Sequence, residues 1–451
     1  MPILYNLAYS VFGLFYLPVF LAKIKQEPDR GRLIRMRMGR PDPEWALRVK
    51  GKEIIWLHAV SVGEVMAVRK FIETFLARCP AVHLVLTTVT PTGQKVAREL
   101  ACDQVSVGYF PFDWTGPVRR FFQLLKPKCL LLAETEVWPN LLVEAGRSGV
   151  PVGILNARLS EKSFRHYSHL AWIFRPLFRR LSFVLAQTEK DADRFLQLGV
   201  ESEKIEIFGN MKFDNIAPVP ISEGLRASLR REWHFEPHDR ILVAGSTHPG
   251  EDEILRHAFL KLREMESSVK LVIAPRHIER SEKICQDLRR FGLRVRLATG
   301  ISPSEKFEVL VLNKIGVLKN LYAMADVVFM GGSLVPRGGQ NPIEPACVER
   351  AIVHGPYIFN FEEVYRVLDQ EGAALMVRDE AQLVFAIKRS LQNESERRNL
   401  GASAVRVIGG LQGSTGRHVD WLLNFLLPDS LERTNDVETH EKLFPFTSPR
   451  A

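Results

Sequence analysis

From residue 53 onward, short apolar runs alternate with longer stretches in which apolar positions recur every three or four residues. The runs EIIWLH, HLVLTTV, CLLLAE, VGILNA, FVLAQT and KIEIFGN have the length and composition of buried strands. The stretch GEVMAVRKFIETFLARC, between the first two runs, has helical spacing. Strands that alternate with helices predict an α/β fold with a parallel sheet covered on both faces.

The pattern pauses near residue 216 at APVPISEG, whose prolines and glycine are typical of a linker. It restarts with RILVAGST, VKLVIAPR, VRLAT, FEVLVLN, VVFMGGS and AIVHGP. A chain of 451 residues is long enough for two domains, so we expect two tandem α/β halves, residues 23–215 and 216–427. Residues 428–451 are polar and unpatterned, which predicts a disordered tail.

The N-terminal stretch, residues 2–22, carries no charge and is just long enough to cross a bilayer core. Basic residues follow it, which favours the cytoplasmic face and anionic lipid: Lys23, Lys25, Arg30, Arg32, Arg35, Arg37 and Arg40. We therefore predict a membrane anchor over residues 1–22, with a hydrophobic first helix that is docked on the domain or lies in the membrane interface as the alternative. The basic flank comes after the apolar run, which disfavours a cleaved signal peptide.

The net charge of +9 favours an anionic partner, whether nucleic acid, an anionic membrane surface or a phosphorylated substrate. Residues 163–183, SFRHYSHLAWIFRPLFRRLSF, mix arginines with aromatic residues, as amphipathic surfaces for anionic lipid do. RNA binding is the competing interpretation of this segment. The five cysteines are scattered and form no CxxC pair, which argues against a disulfide framework and a zinc site and favours a reducing compartment.

Polar residues of the first half follow predicted strands, at the sheet edge where open parallel sheets bind ligands. Glu64 opens a helix after a short glycine-containing loop, so it is either a helix-start residue or a general base. Glu134 and Glu136 lie two apart in AETEVWPN and would face opposite ways in an extended chain. Lys212 is either a surface lysine or a cation that stabilises developing charge.

In the second half, GGSLVPRGGQNPIEPA concentrates glycines that would let backbone amides approach a phosphate. Asn341 and Glu344 follow these glycines, and a carboxylate there suits ribose hydroxyls. A structural turn explains the glycines equally well. Arg276 and His277 follow another predicted strand, and we expect a non-catalytic role for His277.

Eight segments in order give the chain a specific resemblance: HAVSVGE, ETEVWPN, NARLSEKS, AQTEKDADRF, GNMKFD, AGSTHPGE, APRH and GGQNPIEPA. Together with the apolar N terminus, they resemble the 3-deoxy-D-manno-octulosonic acid (Kdo) transferases of lipopolysaccharide assembly. The resemblance extends to about residue 425. It implies the GT-B fold, in which two Rossmann-like domains face each other across a cleft, with the acceptor on the N-terminal side and the nucleotide sugar on the C-terminal side.

The resemblance also implies an activity: transfer of Kdo from CMP-Kdo to a hydroxyl of the lipid A precursor, lipid IVA, with inversion and without a metal or other cofactor. It places the enzyme at the bacterial inner membrane, facing the cytoplasm, with anionic lipid but no nucleic acid as a partner. By resemblance, Glu64 matches the proton acceptor, while Glu134 and Lys212 match transition-state stabilisers. The matches to CMP contacts are Pro275, Arg276, Gly316, Val317, Leu318, Asn341, Pro342, Ile343 and Glu344.

Two alternatives stay open beside this hypothesis. One is another membrane-associated GT-B glycosyltransferase that uses a UDP-sugar. The other is a non-catalytic membrane-bound protein that binds nucleotides or RNA. A dehydrogenase is disfavoured, because the turn after the first strand, HAVSVGE, lacks GxGxxG.

Overall fold

Two α/β units make up the protein in the computed structural model, which describes residues 5–7, 9–11, 13, 15, 18, 30–216, 218–299 and 306–426. One unit is Met1–Lys212 with Gly413–Ala451, and the other is Phe213–Gln412. Each contains one parallel sheet of seven strands. The two parallel α/β halves predicted from the alternating pattern are confirmed.

The first unit has the strand order β3-β2-β1-β4-β5-β6-β7. Its strands are β1 (Glu53–His58), β2 (Val82–Thr88), β3 (Val105–Tyr109), β4 (Cys129–Ala133), β5 (Val152–Ala157), β6 (Phe183–Ala186) and β7 (Ile205–Ile207). Its helices before residue 213 are α1 (Arg30–Arg37), α2 (Pro43–Val49), α3 (Val62–Arg78), α4 (Pro91–Arg98), α5 (Thr115–Leu125), α6 (Pro139–Arg147), α7 (Glu161–His169), α8 (Ala171–Phe178) and α9 (Glu189–Gln197). Short 3-10 turns lie at Ser202–Lys204 and Met211–Asn215.

Helices cover both faces of this sheet, so both side-chain sets of each central strand are buried. In β1, Ile54 and Trp56 belong to one apolar cluster, while Ile55 and Leu57 belong to the other. All four side chains are at most 2% exposed. This is why β1 is a continuous apolar run instead of an alternating one.

The second unit has the strand order β10-β11-β9-β8-β12-β13-β14. Its strands are β8 (Arg240–Thr247), β9 (Val269–Pro275), β10 (Val295–Leu297), β11 (Val309–Val311), β12 (Val327–Met330), β13 (Ala351–His354) and β14 (Ala374–Met376). Its helices are α10 (Glu223–Glu232), α11 (Glu251–Met265), α12 (Ser281–Arg290), α13 (Leu318–Met324), α14 (Ile343–Ala346), α15 (Glu362–Gln370), α16 (Glu380–Gln392) and α17 (Glu394–Leu411), with a 3-10 turn at Ile278–Arg280. The core again has two sides, because β8 alternates Ile241 and Val243 with Leu242 and Ala244.

The last described helix, α18 (Ser414–Leu426), lies in the first unit and packs against α3. Val419 and Leu422 are fully buried there, and the Trp421 ring lies 4.5 Å from the Phe183 ring. The sequence assigned this helix to a C-terminal domain of residues 216–427, so the structure differs from that expectation. The spacing of apolar residues shows that a helix has a buried face, but not which sheet covers it.

The structure adds two strands that the apolar runs did not indicate, β3 and β14. Both lie at an edge of their sheet. β3 contains Gly108 and β14 has only three residues, with Met376 exposed. Short sequences with few large apolar residues, VSVGY and ALM, give only a weak strand pattern.

The described part of the N-terminal segment is helical and joins the first unit through polar side chains. The Asn6 amide donates to Thr115 Oγ1 at 2.8 Å, and the Asn140 amide donates to Asn6 Oδ1 at 2.7 Å. Trp114 Nε1 donates to Ser10 Oγ at 3.1 Å. Asn6 and Ser10 therefore attach this segment to the first unit.

Within the described residues, the structure contains no helix with the length and apolar character needed to cross a membrane. The anchor predicted over residues 1–22 is therefore not confirmed, and part of it lies outside the described residues. The tail predicted over residues 428–451 lies wholly outside them.

Residues 163–183 form α7, α8 and the start of β6, and much of their aromatic content is core. Phe178 is fully buried, and Tyr167 packs edge-on against Phe174 at 4.6 Å and against Phe178 at 5.4 Å. Trp172 is exposed. The predicted lipid-facing surface is thus much smaller than the composition suggested, since the helices turn most of these rings toward the sheet.

Candidate active site

The functional residues predicted in the first unit follow β1, β4 and β7, and β1 and β4 are neighbours in the sheet. The loop after β1 leads to Ser61, whose extended backbone is the N-cap of α3. This places Glu64 in the first helical turn. Because neighbouring parallel strands end at the same edge, the loop that carries Glu134 lies beside it.

Glu64 is partly buried and both of its carboxylate oxygens accept hydrogen bonds. Val60 N–H donates to Oε2 at 2.5 Å, and the Ser61 hydroxyl donates to Oε1 at 3.0 Å. Burial raises the pKa of Glu64, and the charge of Glu134 raises it further, while these two hydrogen bonds and Lys212 oppose the rise. Its hydrogen bonds are those of a carboxylate at the start of a helix. Its charged neighbours, Glu134 and Lys212, are typical of an active site.

Lys212 and Glu134 form an ion pair, with Nζ 2.6 Å from Oε1. Lys212 is held in its 3-10 turn by two amides: Met211 N–H donates to Asn156 Oδ1 and Lys212 N–H donates to Asn210 Oδ1. Glu134 has a φ of 57°, in the left-handed region that residues other than glycine seldom adopt. Backbone strain of this kind is concentrated at functional sites.

Glu136 is a member of this cluster that sequence reasoning set aside. Burial raises its pKa to about 8, and the negative charges of Glu64 and Glu134 contribute to the rise. The chain is not extended here, because Glu134 has a left-handed backbone conformation, and Glu134 and Glu136 both interact with Glu64. The AETEVWPN spacing did carry the signal, namely two carboxylates directly after a buried strand.

His58, at the end of β1, is a structural residue. Its ring is fully buried and lies 3.9 Å from the Phe110 ring. Nδ1 lies 3.0 Å from the Thr87 carbonyl oxygen. Burial lowers the pKa of His58 to about 3, so the ring is neutral at physiological pH.

The predicted nucleotide contacts of the second unit all follow strand ends on one edge of its sheet. Pro275 ends β9, and Arg276 after it is exposed. Gly316 has a φ of 90° and leads into Val317 and Leu318, where α13 begins. The third segment, Asn341–Glu344, enters α14.

The structure brings these segments into two contacts. Burial raises the pKa of Glu344, whereas a hydrogen bond with Asn341 and the charge of Lys319 on α13 lower it. Glu344 on α14 is therefore close to α13, so the segments Gly316–Leu318 and Asn341–Glu344 lie together. Gln340, directly before Asn341, has its Nε2 3.2 Å from His248 Nε2. His248 is in turn beside Arg276, whose N–H donates to the Thr247 carbonyl oxygen at 3.0 Å.

Glu251 changes the expected role of the glycine-rich loop after β12. This fully buried carboxylate accepts hydrogen bonds from the backbone N–H groups of Gly332 (2.7 Å), Ser333 (3.1 Å) and Leu334 (3.1 Å). It also accepts one from His248 N–H at 2.9 Å. The amides at this end of the loop, which the sequence suggested for a phosphate, are therefore already occupied by a residue of the protein. Glu251 lies in the AGSTHPGE segment, but only the fold shows what it binds.

A family model described as 3-Deoxy-D-manno-octulosonic-acid transferase (kdotransferase) matches residues 32–215. The chain is 32% identical over 375 residues to the 3-deoxy-D-manno-octulosonic acid transferase of Haemophilus influenzae, covering 82% of this chain and 87% of that relative. The chain belongs to the Kdo transferase family. A Kdo transferase from Bordetella pertussis is 31% identical over 384 residues, with 82% of this chain and 87% of that relative covered. The family predicted from the eight segments is thereby confirmed.

Solved structures of other proteins share the fold of this Kdo transferase family member. A glycosyltransferase from Rickettsia africae is 10% identical with a TM-score of 0.57, covering 84% of this chain and 100% of its own. The UDP-GlcNAc 2-epimerase of Neisseria meningitidis is 13% identical with a TM-score of 0.56, covering 82% and 100%. At these identities the likeness concerns the fold alone, two parallel-sheet α/β domains of the GT-B type.

In its first unit, this Kdo transferase family member thus groups three carboxylates with one lysine. A carboxylate with a raised pKa can accept a proton, and a neighbouring lysine can stabilise negative charge. Among the described residues, no three His, Cys, Asp or Glu side chains are grouped as metal ligands would be. The second unit groups the predicted nucleotide segments with several basic side chains.

Proposed function

We propose that the protein transfers Kdo from CMP-Kdo to a hydroxyl group of the lipid A precursor, lipid IVA, as an inverting glycosyltransferase. Membership in the Kdo transferase family supports the sugar that is transferred. The observation that carries the mechanism is the cluster of Glu64, Glu134, Glu136 and Lys212 at the ligand-binding edge of the first sheet. The CMP donor, the lipid IVA acceptor and the inversion of configuration are part of the proposal.

In this mechanism Glu64 is the general base. It accepts the proton of the acceptor hydroxyl as that oxygen forms a bond to the anomeric carbon of Kdo, and the bond from this carbon to the phosphate oxygen breaks. The raised pKa of Glu64 makes it a stronger base than an exposed glutamate. Lys212, fixed by Glu134, stabilises the charge that develops at the transition state.

The second unit holds the nucleotide in this proposal. Glu344, partly buried at the start of α14, accepts hydrogen bonds from ribose hydroxyls. Arg276 and the segment Gly316–Leu318 complete the CMP contacts, with the guanidinium opposite the phosphate. Cationic side chains then stabilise the leaving CMP, and the proposal needs no metal or other cofactor.

We also propose attachment to the cytoplasmic face of the inner membrane by a helix that lies in the interface. On the described part of the N-terminal segment, Leu7 and Phe15 are 63% and 82% exposed, and Val11 between them is also exposed. Residues four apart lie on one face of a helix, so these three form an apolar stripe. A neighbouring face carries Asn6 and Ser10, which bond to the protein. An apolar stripe beside basic residues is the arrangement that binds anionic lipid.

The function is tested by incubating the purified protein with CMP-Kdo and lipid IVA and analysing the lipid by mass spectrometry. We expect CMP release and a lipid heavier by one or more Kdo residues. Parallel reactions with UDP-sugars test the alternative donor. A folded protein that transfers no Kdo to any lipid A acceptor would contradict the proposal, and transfer from a UDP-sugar would replace it with that alternative.

The pH profile of transfer provides a separate prediction about Glu64. Because the charge of Lys212 lowers the pKa of Glu64, Lys212→Met should move the acidic limb of kcat/KM to higher pH. Because the charge of Glu134 raises it, Glu134→Gln should move the same limb to lower pH. The limb of kcat/KM reports ionisation in the free enzyme, so initial rates across pH measure both shifts.

If the two variants shift the acidic limb of kcat/KM in opposite directions, the cause is the lost charge. General damage to the site would not produce opposite shifts. Two shifts in the same direction, or none, would mean that Glu64 does not set the acidic limb. Lys204→Met is a matched control, since Lys204 pairs with Glu201 on the surface of the same unit and should leave the profile unchanged.

A further inference from the structure

Basic side chains from three loops of the second unit converge at the carboxyl ends of β8, β9 and β12. His248 follows β8, Arg276 and His277 follow β9, and Arg337 belongs to the loop after β12. Arg280 lies in the 3-10 turn after β9. We call these five residues the basic cluster, and of its members only Arg276 belongs to the nucleotide contacts discussed above.

The loop geometry holds these side chains together. The rings of His248 and His277 are 6.1 Å apart and nearly perpendicular. Gly332 has a φ of 70°, and a Cβ atom there would lie 3.1 Å from His248 Cδ2 and 3.4 Å from the Arg337 Cβ. The missing side chain at Gly332 therefore allows the loop after β12 to bring Arg337 beside His248.

The acidic groups near the basic cluster have other partners. Glu251 is bound by four backbone N–H groups. Asp252 forms an ion pair with Arg280 and accepts a hydrogen bond from Thr247 Oγ1 at 3.0 Å. In the described part of the chain, no carboxylate lies within ion-pair distance of Arg276 or Arg337. The cluster therefore has positive charge that the protein itself does not neutralise.

The electrostatics of His248 agree with this excess of positive charge. Burial lowers the pKa of His248, and four members of the basic cluster lower it further: Arg337, His277, Arg280 and Arg276. An imidazole whose pKa is lowered in this way is suited to donate or accept a hydrogen bond while the neighbouring arginines supply the charge.

We propose that the basic cluster, through Arg337 and His248 beside the phosphate contact Arg276, binds the carboxylate of the sugar in the donor, and so selects an acidic nucleotide sugar over a neutral one. This inference rests on the proposed function, because Kdo is an acid and its carboxylate is attached to the anomeric carbon. Gln340 contacts His248 and directly precedes the predicted nucleotide segment Asn341–Glu344, so the cluster adjoins that segment. Guanidinium groups bind carboxylates through two parallel hydrogen bonds.

The state of the neighbouring loop supports this assignment. Since Glu251 occupies the amides of Gly332, Ser333 and Leu334, those backbone donors are not available to an anion. Anion binding at this edge then depends on side chains, and Arg337 is the exposed guanidinium carried by the same loop. The phosphate of CMP is the competing anion, and it is present in CMP as well as in CMP-Kdo.

Calorimetric titration of the full chain with CMP-Kdo and with CMP separates the two anions. Arg337→Gln should weaken CMP-Kdo binding by roughly 10- to 100-fold, the loss expected for a hydrogen-bonded charge pair, and leave CMP binding unchanged. Arg337→Lys should restore binding in part, because it keeps the charge but not the paired donors. Arg290→Gln, at an exposed ion pair with Asp287, is the control and should bind both ligands normally.

Each outcome decides between the assignments. Equal weakening of CMP and CMP-Kdo by Arg337→Gln would assign the cluster to the phosphate and overturn the proposal. Unchanged binding of both ligands would overturn it as well. If the unmodified protein binds neither ligand, the proposed donor itself is overturned, a result that differs from a variant that loses only CMP-Kdo.

Discussion

Glu64→Gln should lower kcat for Kdo transfer by roughly 100- to 10,000-fold, the usual contribution of a general base. Glutamine keeps the size of the side chain and one oxygen that accepts a hydrogen bond, but it cannot take a proton from the acceptor. Donor binding should be unchanged, because the predicted nucleotide contacts are in the other unit. Initial rates and calorimetric titration with CMP measure the two effects independently.

Two further variants make this test specific. Glu73→Gln lies on the same helix at an exposed position, where it pairs with Arg69, and should leave kcat unchanged. Glu136→Gln addresses the other buried carboxylate of the cluster. With a pKa of about 8, Glu136 is mostly protonated at neutral pH, so glutamine imitates its main form and should cost little activity at pH 7. Near-normal turnover in Glu64→Gln, with a large loss in Glu136→Gln, would transfer the role of base to Glu136.

Asp326→Asn should lower the free energy of unfolding of the second unit by about 3–5 kcal/mol, the cost of removing one partner from a buried ion pair. The Asp326 side chain is 2% exposed and lies 2.7 Å from Arg226 and 2.9 Å from Arg230. It also accepts the Ile241 N–H at 2.8 Å. Asparagine would leave these arginines partly buried without a counter-charge, a loss that urea unfolding monitored by circular dichroism measures.

The same carboxylate makes stability depend on pH. Burial by itself would raise the pKa of Asp326, but Arg226 and Arg230 outweigh it and hold the pKa below its usual range. Burial lowers the pKa of Arg230 as well, yet a guanidinium stays charged throughout. The contribution of Asp326 is thus complete above the unfolded-state pKa of about 3.9 and is lost as pH falls through the lower folded-state value.

The difference in unfolding free energy between the unmodified protein and Asp326→Asn should therefore shrink below about pH 4, where the unfolded carboxylate gains its proton. Asp287→Asn removes an exposed ion pair with Arg290 in the same unit and should cost less than about 1 kcal/mol. Identical urea midpoints for the unmodified protein and Asp326→Asn would mean that this ion pair contributes no net stability.

Much of the fold was predictable because strand formation depends on local pattern. The run EIIWLH is β1 residue for residue, and RILVAGST is β8. The sequence placed Glu64 at a helix start and Lys212 after the last strand of the first half, and the structure has both there. The three catalytic candidates could therefore be named from strand-end loops and from the resemblance to Kdo transferases.

Three features could not be read from local pattern. Glu136 joins Glu64 because Glu134 takes a left-handed backbone conformation, which the letters ETE do not encode. Glu251 takes the amides of the glycine-rich loop because β8 and β12 are neighbours in the sheet. Helix α18 returns to the first unit, where Trp421 meets Phe183.

The sequence by itself determined the two parallel α/β halves, the membership in the Kdo transferase family and the loops that carry charged residues. Only the tertiary structure decided which of those charges meet: Glu134 with Lys212, Glu251 with backbone amides, and Arg337 with His248. The physical reason is the range of the interactions. Periodicity arises from neighbours along the chain, whereas contacts between strand-end loops depend on strand order, which places residues far apart in sequence at one edge of a sheet.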